Sequence, residues 1–393
     1  MENLILKSSH KIQSAPRDFY RYLLKRINLK NRLIAILGAR GVGKTTLLLQ
    51  LAQQSKKETL YVALDDLFFT DNSLYSLAEN FQLAGGELLL LDEVHKYPNW
   101  SREVKLIYDD FPDIQLIITS SSILDIYKAE SDLSRRAIHY QMHEMSFREY
   151  LEFKHKIKLQ AYSLEEILSR HEEIARKIRA EIKPVKYYNE YIKWGAYPYY
   201  DGDENDYYQR IQNTINLILD IDMQSIEGLS YPQIAKIKRL LFVLANNVPF
   251  TPNISKLAEK IELHRNNLVL ALQLLEKAAL IRGISKKGKS ISILSKPDKM
   301  WLHNTNLSYA IAENTPDIGN LRETYFLQHL IDHKMALSDK ADFLVDNKYT
   351  FEIGGKSKNL KQISGLSDAF VVKDNIEIGA KNIIPLWMFG LLY

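Results

Sequence analysis

The sequence predicts an α/β protein: a mainly parallel sheet between helices, then a helical connector, a winged helix and a small mixed α/β segment. Three observations carry that expectation. Short apolar runs alternate with helical patterns through the first 150 residues, and such alternation builds parallel sheets covered on both faces. A glycine-rich stretch, Gly38–Thr45, lies between the first run and the first helical pattern. Near Tyr150 the alternation gives way to charged, helix-favouring sequence.

The apolar runs are Arg32–Leu37, Leu60–Leu64, Leu88–Leu91 and Ile114–Thr119, with helical patterns at Thr45–Gln53, Leu74–Leu83 and Trp100–Asp110. Leu164–Lys183 carries Ile167, Ile174, Ile178 and Ile182 at helical spacing. Pro184 should end that helix, because it lacks an N–H and clashes with the preceding turn. Pro184–Tyr208 is tyrosine-rich, with a turn at Gly195–Pro198 and a solvated acidic loop at Asp201–Asp206; its tyrosines read as packing. Thr251–Ile261 and His264–Ala278 are two further helices, and Leu280–Ser285 and Ser290–Leu294 bracket the basic turn Lys286–Lys289 as a wing. A helix near Leu321–Ile331, a hairpin at Asp346-Asn347 and the runs Ala369–Val372 and Ile383–Phe389 complete the chain. These changes divide it at 1–150, 151–230, 231–300 and 301–393.

Composition narrows the chemistry. At 393 residues the chain exceeds one ordinary domain, and 46% hydrophobic with 25% charged residues speaks against disorder. It has no cysteine, which excludes disulfides, thiolate zinc sites and a cysteine nucleophile and suits the cytoplasm. Charges interrupt the apolar runs between Met1 and Gly38, and no run approaches the about 20 residues of a membrane span, so neither a leader nor a span is expected. The net charge of +4 is uneven. Residues 1–150 hold 19 basic and 19 acidic side chains, whereas 231–300 hold 13 and 4. Phosphate backbones respond to such local excess.

Gly38-Ala39-Arg40-Gly41-Val42-Gly43-Lys44-Thr45 fits G-x-x-x-x-G-K-[ST] with a strand before it and a helix, opening at Thr45-Thr46, after it. Glycines let the backbone wrap a phosphate, and the helix N-terminus favours its charge. Lys44 is then expected on the β- and γ-phosphates of ATP, and the Thr45 hydroxyl on Mg²⁺. Asp92 and Glu93 follow the buried run Leu88–Leu91; Asp92 would hold Mg²⁺ through water, and Glu93 would polarise the attacking water. Ile114–Thr119 ends in Thr119-Ser120-Ser121-Ser122, where a hydroxyl such as that of Thr119 could sense the γ-phosphate. Arg135-Arg136 offers an arginine finger, with an ordinary surface arginine as the alternative.

Gly38–Thr46, Leu91–Trp100 and Met145-Ser146-Phe147-Arg148-Glu149-Tyr150 together resemble the AAA-type, STAND-related prokaryotic ATPases, in the branch that adds a winged helix and a nuclease-like domain. The resemblance spans nearly the whole chain, and its first 150 residues are the specific part. It places the family arginine on Arg136. Two positions depart from the pattern: Ser120 stands where a glycine is usual, and Arg135 replaces the glycine before the arginine. Finger and sensor roles stay open there.

The resemblance also implies a winged helix over 231–300, where Arg265, Lys286, Lys287 and Lys289 are candidate contacts to duplex DNA. Winged helices equally serve as protein–protein spacers, so a protein partner or a homo-oligomer stands beside DNA. Further on, Glu323, Asp342 and Glu352 fall on helix, strand and strand, an order resembling the PD-(D/E)xK nuclease core, where acids hold a metal. The lysine of that core would stand two residues after Glu352, where this chain has Gly354; Lys356 shares the face only if the strand runs on through Gly354-Gly355. An inactive nuclease-like scaffold is therefore the favoured expectation, with a phosphate-holding role for Lys356, Lys358 and Gln362 as the alternative.

Overall fold

The computed structural model describes residues 2–120, 133, 135–223, 230–247, 249–286 and 297–393, in two compact units, Met1–Glu144 and Met145–Tyr393.

The first unit opens with helix α1 (Glu2–Ser14) and contains strands β1 (Leu33–Leu37), β2 (Thr59–Ala63), β3 (Leu88–Asp92), β4 (Gln115–Ser120) and β5 (Ala137–Gln141). All neighbours in its sheet are parallel, in the order β2-β3-β4-β1-β5. Helices α2 (Lys44–Gln54), α3 (Leu74–Leu83) and α4 (Trp100–Asp110) connect the strands. Side chains alternate along a strand. Leu33, Ala35 and Leu37 thus join Leu60, Val62, Leu89, Leu91, Leu116 and Ile118 in one buried core on one face. The other face receives α2, the helix that follows the glycine-rich turn.

Strand β2 is an edge, and its outer side would present unpaired backbone groups to solvent. Helix α1 covers it: the Ser8 hydroxyl accepts the Tyr61 N–H at 2.9 Å. Neither α1 nor β5 is expected from the sequence. The first carries no clear apolar stripe, and the second is an edge strand whose Ile138 is exposed.

The second unit begins with α5 (Phe147–His155), α6 (Leu164–Glu181), α7 (Pro184–Trp194) and α8 (Glu204–Leu217). Pro184 opens α7 rather than merely closing α6; at the first helical position its missing N–H removes no bond. Helices α9 (Tyr231–Ala245), α10 (Ile254–Lys260) and α11 (Arg265–Lys277) lead into β6 (Ile281–Ile284). Its antiparallel partner is β7 (Lys299–Leu302), downstream of the predicted Ser290–Leu294 strand, which lies outside the described residues.

Helices α12 (Thr305–Ile311) and α13 (Ile318–His329) precede a five-stranded sheet of β8 (Met335–Leu337), β9 (Phe343–Val345), β10 (Tyr349–Gly354), β11 (Ala369–Lys373) and β12 (Ile383–Pro385). The β9–β10 hairpin turns at Asp346 and Asn347, both left-handed, as a tight hairpin requires. Phe326 of α13 packs on Phe343, Phe351 and Phe389.

Phe389 lies in a fully buried 3-10 turn, Leu386–Leu391, that also meets α5, α6 and α7. Gly390 there has no room for a side chain: a Cβ would collide with the Tyr325 hydroxyl and Phe147 Cβ. Gly390→Ala should lower the unfolding free energy of the second unit by about 1–3 kcal/mol, the usual cost of overpacking, as read by urea unfolding.

Candidate active site

The glycine-rich turn leaves the end of β1 and feeds α2. A Cβ on Gly38 would strike the Met142 carbonyl, whose own N–H donates to Leu37 O at 2.7 Å. Gly41 and Gly43 take left-handed φ values of 85° and 100°, which glycine adopts without strain. Arg21 braces the turn from behind, its buried guanidinium donating to Val42 O and to His143 O at 2.5 and 2.7 Å. Arg21 has no local sequence signal, because it acts across 21 and 122 residues. Lys44 is 6% exposed, and its ammonium donates to Gly38 O and Ala39 O at 2.9 and 2.8 Å. Ala39, Arg40 and Val42 complete the turn, and Thr46 lies half-buried in the first turn of α2.

Strand order brings the acids to this turn. Because β4 lies between β1 and β3, Thr119 near its end stands beside both. Asp92, 3% exposed, accepts three hydroxyls: Thr45 Oγ1 at 2.7 Å and Tyr61 at 2.8 Å on Oδ2, and Thr119 on Oδ1. The Thr119 oxygen in turn accepts the Glu93 N–H at 3.0 Å. Glu93 has φ 54°, an uncommon backbone state for a side-chain-bearing residue that turns its carboxylate off the strand. Burial raises its pKa, while Arg40 and Lys44 pull it back down. His95 Nδ1 lies 3.3 Å from Ser120 Oγ, and burial, with Lys96, Arg40 and Lys44 nearby, pushes its pKa down to about 3. His95 is therefore neutral at physiological pH.

The groups suit a triphosphate with a hard cation: a lysine ammonium and the backbone N–H groups of a helix N-terminus for the phosphates, a threonine hydroxyl and a carboxylate for the cation. Tyr61, Arg21 and His95 are missed by sequence reasoning. Ser121 and Ser122 lie outside the described residues.

Arg136 stands away from this chain's own glycine-rich turn. It precedes Ala137, which pairs with Leu33 at the start of β1, so it sits at the opposite end of the sheet from the glycine-rich turn. Its guanidinium is bidentate to Asp109 at the end of α4, Nε and Nη2 both at 3.0 Å. The arginine electrostatically coupled to Glu93 is Arg40, within the turn itself.

In the second unit Glu323, Asp342 and Glu352 share one neighbourhood, each raised in pKa first by burial, with Asp342 adding to both glutamates. Each has its own protein partner. Trp301 Nε1 donates to Glu323 at 2.9 Å, the Ile353 N–H to Asp342 at 2.7 Å, and the Lys358 ammonium pairs with Glu352. Asp342 itself lies one residue before β9. Among the described residues no group of three His, Asp or Glu side chains is arranged to hold a metal ion. The lysine expectation is also corrected. Strand β10 ends at Gly354, and Lys358 rather than Lys356 returns to Glu352. Its stem fills the space over Gly354, where a Cβ would fall 2.7 Å from Lys358 Cβ. Gln362 Oε1 lies 3.4 Å from the same ammonium.

The basic segment carries α10 and α11 as a helix–turn–helix, with Arg265 exposed at the start of α11. Lys236 pairs with Glu262, Lys238 with Asp220 and Lys286 with Asp339. Lys287 and Lys289 lie outside the described residues.

With that geometry in place, comparison with known proteins gives a long match. The uncharacterised protein MJ1637 of Methanocaldococcus jannaschii is 30% identical over 395 residues, covering 90% of this chain and 81% of that protein. The chain belongs to the family of that archaeal protein. Within this family member, residues 30–151 match the AAA domain family and residues 185–317 a domain of unknown function. The five-stranded parallel sheet with its glycine-rich turn is a P-loop NTPase fold, and this part of the family member is an AAA-type, nucleotide-binding ATPase domain. Looser likenesses are to a STAND signal-transduction ATPase with a tetratricopeptide repeat sensor from Pyrococcus horikoshii (14% identity, 81% of this chain, 46% of that one, TM-score 0.28), to C. elegans PCH-2 (21%, 69%, 70%, 0.26) and to a self-assembling katanin (16%, 70%, 83%, 0.30). The chain spans under half the length of the STAND protein. Among the described residues no helix is long and apolar enough to cross a membrane.

Glu323 gives this subsection its test. Burial and Asp342 raise its pKa from 4.5 to about 7, so the folded state binds the proton more tightly than the unfolded chain. The stability this contributes is full below pH 4.5 and is lost as pH rises through about 7. Glu323→Gln keeps an acceptor for Trp301 and removes the charge. It should gain about 1–3 kcal/mol near pH 8 and nothing near pH 4, measured by urea unfolding across that range.

Proposed function

We propose that the chain is a Mg²⁺-dependent ATPase whose nucleotide state switches or drives an attached partner, with duplex DNA as the leading candidate for that partner. The carrying observation is the bond between Thr45 and Asp92 at 2.7 Å, which sets a threonine from the helix N-terminus against the carboxylate at the end of β3. Gly38–Thr46 wraps the phosphates. Lys44 leaves the carbonyls of Gly38 and Ala39 for the β- and γ-phosphate oxygens, a displacement its flexible stem allows. Magnesium, when bound, would supply charge neutralisation to the phosphates. Asp92 and Thr45 would hold that ion, Thr119 fixes Asp92, and Glu93 would accept a hydrogen bond from the attacking water and take its proton.

The excess of 13 basic over 4 acidic residues in 231–300 supports DNA. The ion pairs at Lys236, Lys238 and Lys286 favour a second reading, a STAND-type switch that presents a protein surface. In either reading the carboxylates at Glu323, Asp342 and Glu352 are a nuclease-like scaffold without cleavage, because the indole, the amide and Lys358 already engage them.

Lys44→Ala should lose binding of a fluorescent ATP analogue. Glu93→Gln should bind it with magnesium yet turn ATP over about 100-fold more slowly or worse. Wild-type turnover in either variant overturns the assignment. Turnover with and without duplex DNA, at about 50 and 200 mM salt, separates the partner readings: salt-sensitive stimulation supports DNA, and indifference supports the protein switch.

A further inference from the structure

One buried polar side chain beside the nucleotide site is not part of the glycine-rich turn or the acid pair. Tyr61 is 3% exposed and lies on β2, in register with Leu90 of β3, two residues before Asp92. Alternation along the strands puts Tyr61, Leu90 and Asp92 on one face, opposite the apolar core. From there the ring runs along the sheet, and its hydroxyl donates to Asp92 Oδ2 at 2.8 Å, the oxygen that also accepts Thr45. The Tyr61 backbone is itself fixed: its N–H donates to Ser8 of α1 at 2.9 Å, and the Lys11 ammonium stands 5.1 Å from the ring centre. A buried phenol aimed at a carboxylate, on a strand edge held by its own helix, is more than core filling. Phenylalanine would fill the same volume.

We propose that Tyr61 is a positioning residue for the magnesium–ATP reaction: its hydroxyl fixes the orientation of Asp92, so that the carboxylate faces the ion from the moment nucleotide arrives. The inference rests on the ATPase reading above. Its logic is geometric. Asp92 would meet the ion through water, and such an outer contact depends on the direction of the carboxylate. Thr45 must direct an oxygen lone pair to the same ion, which leaves Tyr61 and Thr119 as the donors that hold the two carboxylate oxygens in place.

The test is the magnesium dependence of nucleotide binding in the full chain. Fluorescent ATP analogue is titrated at a series of Mg²⁺ concentrations into wild type and Tyr61→Phe, with folding checked by circular dichroism. The variant should need about three- to tenfold more Mg²⁺ for half-maximal enhancement of binding, the effect of one lost charge-assisted hydrogen bond. Its affinity without Mg²⁺ should stay near wild type. A merely structural role would lower thermal stability and leave the Mg²⁺ midpoint in place, and that outcome overturns the proposal, as does a tighter midpoint. If wild type itself shows no Mg²⁺-enhanced binding, the ATPase reading fails instead. Should Tyr61→Phe fold poorly, 3-fluorotyrosine at position 61 gives a second readout. Its ¹⁹F resonance should shift on adding Mg²⁺ with ATP and not with ATP alone; equal spectra overturn the proposal.

Discussion

A carboxylate taken out of water must find donors, or it costs several kcal/mol, and Asp92 is where the candidate site meets that demand. Its three hydroxyl partners come from the start of α2, from β2 and from β4. None of the three is close to Asp92 in sequence. Their meeting fixes the order β2-β3-β4, the register that sets Ala63 beside Asp92, and the exit of the chain from β1 into α2. A one-residue slip of β2 would turn Tyr61 to the apolar face. The sheet and the site are thus one arrangement: the pairing that buries Leu89 and Leu91 also delivers the donors.

The second unit has a different organiser. The segment Met145–Tyr150, which carries part of the family resemblance, begins this unit and serves packing there. Ser146 and Glu149 form a capping box on α5, and the Ser146 hydroxyl also donates to Tyr393 O at 2.6 Å. Phe147 packs against Tyr191 and Trp387, and Gly390 is the residue that lets Phe147 and Tyr325 approach. The 3-10 turn at Leu386–Leu391 is therefore held by helices more than 190 residues upstream. A conspicuous motif can mark an interface inside the protein as readily as a chemical site.

What was legible in the sequence follows from range. The glycine-rich turn, the Asp92-Glu93 pair and the Asp346-Asn347 turn are local patterns, because each encodes a backbone state within a few residues. Helices Leu74–Leu83 and Trp100–Asp110 were legible too, by apolar spacing. Tyr61 and Arg21 were not, since a tyrosine in an apolar run and an arginine before one look like ordinary packing and solvation. The partner of Arg136 was not legible for the same reason: its neighbour in the chain says nothing of Asp109, 27 residues earlier, which accepts its guanidinium. Gly354 was read correctly as a vacancy for lysine, but the side chain that fills it comes from Lys358, after the chain has turned back. Lysine stems are long enough to serve a site from more than one backbone position.

The two acidic constellations show how partners decide chemistry. Around Asp92 the donors are neutral hydroxyls, which can keep one bond while turning a lone pair elsewhere. Beside it Glu93 is raised by burial yet drawn down by Arg40 and Lys44. Around Glu352 the partner is an ammonium in direct contact, and around Glu323 it is an indole that has one proton to give and no lone pair to turn. Neither can rearrange without leaving a buried charge or a buried donor unpaired. The same residue types are thus poised for exchange in the first unit and committed in the second. The second unit keeps its acids by holding one of them, Glu323, near the edge of protonation.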